Sequence, residues 1–203
     1  MENKGPQVRR VVTGHDDDGR AVILIDGIAP NTFASPTIPG FGAAVAWMSG
    51  SPADHISDFD PVGPGSPIPG FPGVGETIIR IAEFPPDKAY PADAQEKIFD
   101  EIDGKDEAAD GSKHSAGKHF WFHRTESLDY AIVLEGEITL LVDEGETTLR
   151  AGDIAVQRAT SHAWSNRTDR IARIAFILIG TTPVSTEEIA RQRQQDSKVA
   201  STK

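Results

Sequence analysis

HRTESLDYAIVLEGEITLLVDEGETTLRAGDIAVQRATSHAWSN, residues 123–166, is the stretch on which the fold turns. Its apolar and β-branched residues come in short runs, and Gly136, Gly145 and Gly152 punctuate them at turn positions. The pattern predicts a strand over Trp121–Leu134, a second over Ile138–Val142, a turn at Asp143–Glu146, and Thr147–Arg150 as the return of a hairpin. Ile154–Gln157 and His162–Asn166 follow, and Ile171–Ile179 closes the series. Strands this short, at this spacing, make an all-β barrel or sandwich.

Upstream, Glu76–Phe84 reads as a β-branched strand stopped by Pro85 and Pro86. Residues 92–118 are acidic and carry one short helical pattern at Ala94, Ile98, Phe99 and Ile102; they read as an excursion, a solvated loop or a lid beside a site. Gly and Pro crowd residues 30–75, and Val8–Thr13 and Ala21–Ile25 are the clear strand candidates of the first third. The run PVGPGSPIPGFPGVG, residues 61–75, reads as a flexible linker or, with Ile68, Phe71 and Val74, as an arm laid on an apolar surface; the packed arm is favoured. Beyond Pro183, Ser185 or Thr186 caps a short helix, and the polar end of the chain is expected to fray. The expected organisation is therefore an N-terminal arm over residues 1–75, a barrel over 76–182 with the 92–118 insertion, and a C-terminal helix and tail over 183–203.

Composition narrows the partners. Twenty Lys and Arg against thirty-one Asp and Glu give a net charge of -11, which argues against nucleic acid. The absence of cysteine removes disulfides, thiolate nucleophiles and Cys-ligated metals, so any metal needs His and carboxylate. The N-terminus has no apolar signal core and no stretch is long enough to span a bilayer, so the expectation is a soluble, cytoplasmic protein with no membrane partner.

Strand alternation places His123, Thr125, Ser127 and Asp129 on one face, and His162 comes from a different strand, followed by Trp164 and Asn166. Trp121 and Trp164 flank the two histidines, as core filling or as a wall for a planar substrate. Of Gln157 and Arg158, one must face inward, and an inward Arg158 would anchor a carboxylate. His15 and His55 have no partner at ligand spacing and read as surface groups.

This arrangement resembles the cupin family. In the first cupin motif, G-x5-H-x-H-x3,4-E-x6-G, His123 falls on the first His, Thr125 on the second, Asp129 on the Glu and Gly136 on the closing Gly. In the second, Gly152, His162 and Asn166 match, with Arg158 near the Pro. The resemblance implies a double-stranded β-helix or jelly-roll barrel, and it favours a homodimer, which would cover the apolar outer faces of Leu128, Tyr130, Ile132 and Leu134 and of the last strand. It also implies a divalent metal on His123, Asp129 and His162, with Fe2+ leading and Zn2+, Mn2+ or Ni2+ admitted by the same ligand types. Thr125 cannot act as an imidazole and Asp129 is a methylene short, so the usual four-ligand site is damaged.

Three functions stay open. The leading one is a metal-dependent oxygenase acting on an aromatic or organic-acid substrate oriented by Trp121, Thr125, Gln157, Arg158 and Trp164. The second needs no metal: Asp129 and His162 serve as acid and base in an isomerisation, dehydration or decarboxylation. The third is a ligand-binding cupin without turnover.

Overall fold

The protein is described here by a computed structural model that covers residues 5–66, 69–94, 97, 101 and 118–200. Ile68, and Ile98, Phe99 and Ile102 of the helical pattern, lie outside the described residues, as does most of the 92–118 excursion.

Eleven strands are described: β1 (Arg9–His15), β2 (Ala21–Ile28), β3 (Thr32–Ala34), β4 (Gly42–Ser49), β5 (Thr77–Phe84), β6 (Ser127–Glu135), β7 (Glu137–Val142), β8 (Glu146–Arg150), β9 (Ile154–Arg158), β10 (His162–Ser165) and β11 (Ala172–Gly180). They form a six-stranded sheet in the order β3-β4-β5-β11-β6-β9, a three-stranded sheet in the order β10-β7-β8, and a separate β1-β2 ribbon. β11 is central, antiparallel to β5 on one side and β6 on the other, and its residues alternate strictly between buried and half-buried. The core lies between the two larger sheets: Ile78, Val133, Ile174 and Leu178 come from one, Ile138, Leu141 and Trp164 from the other. The Trp164 and Phe176 rings meet across it with centroids 5.5 Å apart. The described residues are mostly β, with an α-helix at the C-terminal end.

Strand positions from β5 onward agree with the sequence pattern to within a residue or two, apart from two places. The first is the expected long strand Trp121–Leu134, which is regular only from Ser127. β11 ends at Gly180, whose partner is Ser127, so the residues before Ser127 have no neighbour in that sheet and turn instead toward β10. The second is the tail, where α1 (Thr186–Ala200) continues through residues expected to fray. Ser185 caps it, its Oγ accepting from the Glu188 N–H at 3.2 Å, and Gln192 donates to Asp196 one turn on at 2.9 Å.

The first third is more than an arm. β3 and β4 extend the six-stranded sheet beside β5, although the sequence GAAVAWMS of β4 has weak strand propensity. Its small residues suit a crowded site: a Cβ on Gly42 would stand 2.7 Å from the Phe33 carbonyl oxygen. The Pro-rich run is packed where it is described, with Val62 fully buried and Phe71 against the core, while Val74 is 61% exposed. At Gly136 the turn after β6 needs φ +79°, which only glycine adopts without strain.

Candidate functional site

Between the sheets lies a cavity of about 440 Å³. It is lined by apolar and aromatic side chains and by polar ones, among them Arg80, His123, Thr125, Asp129, Gln157 and His162, with Glu101 also in the lining. Each polar residue reaches it for a topological reason. Asp129 on β6 and Gln157 on β9 are cross-strand partners in register, so both point inward. Arg80 shares the inward parity of Ile78, Ala82 and Phe84 on β5. His123 and His162 are joined by reciprocal backbone hydrogen bonds of 3.0 Å, which bring their ring centroids to 4.3 Å.

The imidazoles are held in one tautomer. His123 Nδ1 donates to the Trp121 carbonyl at 2.6 Å, and His162 Nδ1 donates to the Thr160 carbonyl at 2.8 Å. In both neutral rings Nε2 is then the basic nitrogen. Burial lowers the pKa of His123, and burial with the neighbouring His123 drives His162 well below the ordinary histidine value. The loop before His162 is braced by Arg124, a buried residue whose Nε donates to the Ala159 carbonyl at 2.8 Å and whose second terminal nitrogen donates to Val184 at 2.8 Å. Ala159 itself stands at φ 49°, a left-handed conformation rare for a side chain with Cβ.

Asp129 moves the other way. Burial lifts its carboxyl to about 6, against the opposing pull of the Ser127 hydroxyl and the Arg80 charge. Arg80 is drawn down to about 10 by loss of solvent, opposed by Asp129, and gives hydrogen bonds to the carbonyls of Pro69 and Gly70. Ser127 also donates to Thr125 Oγ1 at 2.9 Å. Asp129 Oδ1, Glu101 Oε2 and both Oε1 and Nε2 of Gln157 are buried polar atoms of the lining that find no hydrogen-bond partner among the described residues.

Of the residues singled out from sequence, Trp121, His123, Thr125, Asp129, Gln157, His162 and Trp164 all line this cavity. Arg158 does not. It pairs with Leu128 on the outer face of the sheet and is exposed, because one residue along a strand reverses the face. The arginine at the cavity is Arg80, which sequence reading left in an ordinary strand; a charged residue in the apolar parity of Ile78, Ala82 and Phe84 was the available signal. Trp121 and Trp164 are both core and wall, 4% and 3% exposed. His15 and His55 are exposed.

The metal implied by the family resemblance meets a mismatch. His123 and His162 come together, but among the described residues no group of three or more His, Cys, Asp or Glu side chains is arranged to hold an ion. Asp129 is shorter than the glutamate of the motif and lies in the field of Arg80. These residues do not fit a three-ligand centre.

A family description named "Cupin domain" matches residues 112–179. The chain is similar to "Phomopsin biosynthesis cluster protein C'" of Diaporthe leptostromiformis, 30% identical over 91% of this chain and 86% of that one. It is similar to "Cupin-domain-containing oxidoreductase fogC" of Aspergillus ruber, 26% identical over 88% of this chain and 75% of that one. A solved structure, that of a putative ethanolamine utilization protein from Salmonella typhimurium, aligns over 88% of this chain and 100% of that one at 11% identity and a TM-score of 0.39.

Proposed function

The chain belongs to the cupin superfamily, and we propose that it is a small-molecule enzyme whose barrel cavity carries out proton transfer with Asp129 and His162 and without a metal. The observation that carries this is a cavity shared by a carboxyl group lifted to about 6 and two imidazoles kept neutral. Asp129 in its acid form donates to a substrate oxygen. Neutral His162, with Nδ1 engaged by Thr160, takes a proton from the adjacent carbon at Nε2. The aromatic walls exclude water from the charge that develops on that carbon and oxygen, and Arg80 supplies a nearby positive charge to stabilise it. Isomerisation and dehydration of a small carbonyl compound use this pair, whereas a decarboxylation would use only the acid, which returns a proton to the carbon that loses CO2.

The test needs no known substrate. A panel of small carbonyl compounds in deuterium oxide, followed by NMR, reads exchange of the hydrogen next to the carbonyl. Exchange that persists in chelator and disappears in Asp129→Asn supports the reading; exchange abolished by chelator sinks it.

The oxidoreductase name of the Aspergillus ruber relative favours a second reading, in which proton removal opens an oxidation of the substrate with dioxygen as the outside acceptor. An oxygen electrode separates the two: uptake matched to product formed supports oxidation, and product without uptake supports proton transfer alone. Among the described residues no helix is long and apolar enough to cross a membrane. The outward face of the main sheet, where Leu134, Ile154 and Val156 are each about half exposed, supports a homodimer, which light scattering tests.

A further inference from the structure

Gln157 is 4% exposed, lines the cavity, and has neither carboxamide atom satisfied among the described residues. Leaving a buried donor and a buried acceptor unmade is costly, so such a side chain is kept where something else completes it. Its register partner Asp129 does not complete it, although the two are opposite one another. Thr125 is engaged with Ser127, and Arg80 with the carbonyls of Pro69 and Gly70.

A carboxamide offers a donor and an acceptor side by side in one plane. The group that satisfies both at once presents an acceptor and a donor in the same plane, on the same side. A cis-amide does so; a trans-amide does not, because its N–H and C=O point in opposite directions. A carboxylate brings acceptors alone and would set a negative charge against Gln157 Oε1 and beside Asp129. The rest of the wall, with Phe41, Trp121, Trp164 and Phe176, suits a flat ring.

We infer that Gln157 is the specificity element of the cavity and that it recognises a cis-amide held in a planar ring, a lactam, through two parallel hydrogen bonds. This rests on the proposal that the cavity is the substrate site and adds the substrate class. Recognition by the carboxamide tolerates either orientation of its amide, since exchanging O and N merely turns the ligand over.

The probe is 2-quinolone, an aromatic ring carrying a cis-amide, and its control is 1-methyl-2-quinolone, which keeps the ring and loses the donor. Calorimetry with the full chain is expected to show 2-quinolone bound at least about tenfold more tightly than the methylated ring, with that preference gone in Gln157→Leu. Equal binding of the two rings by the unaltered protein, or a preference that survives in Gln157→Leu, overturns the inference. Thermal unfolding without ligand gives an independent reading. Gln157→Leu removes two unmade buried groups and should leave Tm unchanged or raised; a clear fall means Gln157 holds the fold together, and that too overturns the inference. If the lactam binds through Gln157 while no hydrogen exchange is catalysed on any carbonyl compound, recognition stands and the proton-transfer reading falls.

Discussion

Asn166 and Gln157 are both carboxamides and both buried, 1% and 4% exposed, on either side of His162 in the chain. Asn166 Nδ2 donates to the carbonyls of Phe84 at 2.8 Å and Arg170 at 2.7 Å, and its Oδ1 accepts from the N–H and hydroxyl of Thr168. Its own backbone N–H and the Ser165 hydroxyl both go to Asp87. Gln157 meets no such partners among the described residues. Residue type and burial are the same in the two regions, and the difference lies in what completes them. Asn166 stitches the end of β5 to the loop before β11, so it is a structural group. Gln157 and Asp129 are held in a rigid sheet with atoms to spare, the condition expected of groups that await a ligand.

The contrast breaks most readily at the cavity. Asp129→Asn and His162→Ala should each lower kcat/KM for the compound found by hydrogen exchange by roughly 10²-fold or more, the range of a lost general acid or base, while circular dichroism stays native. Asn166→Ala should do the reverse: a loss of about 3 kcal/mol in stability by urea unfolding, because two carbonyls and a threonine lose their partner in the interior. An Asn166→Ala protein as stable as the original would erase the distinction between the two clusters.

The pH dependence sharpens it. As the pH rises through about 6, Asp129 loses its proton, so kcat/KM should fall there, and a flat or rising profile would contradict its acid role. The same shift acts on stability. The folded pKa stands above the ordinary carboxylate value, so the contribution of Asp129 is fully present below that value and is lost as the pH rises through about 6. Subtracting the Tm of Asp129→Asn from that of the unaltered protein should therefore give a difference that declines over this interval; a difference that grows would mean the carboxylate is stabilised as the anion. The smallest effect belongs to Arg158→Ala, outside the barrel and exposed: stability within about 0.5 kcal/mol and unchanged turnover.

Much of this was legible in the sequence because strand alternation and turn glycines are local signals. The run from Gly136 to Ile179 needs only those rules, and the shared face of His123, Thr125 and Asp129 follows from parity and the motif spacing, while Gln157 and Arg158 stayed alternatives. What was not legible depended on contacts distant in the chain. β4 is a strand because β5 lies beside it, against the preference of its alanines and glycines. Arg80 became a cavity residue through the placement of β5 across β11 from Asp129, and Arg158 was excluded by a one-residue change of face. The mismatch of the metal ligands was half visible, in Thr125 and in the short side chain of Asp129. The other half, the competing charge of Arg80, required the fold.

The central claim is that these residues move protons without an ion. Plasma mass spectrometry on untagged protein, before and after anaerobic loading with Fe(II), measures it directly against His123→Ala. The account predicts metal far below one per chain in both proteins under both conditions. Close to one Fe, Mn, Ni or Zn per chain, lost in His123→Ala, would contradict it.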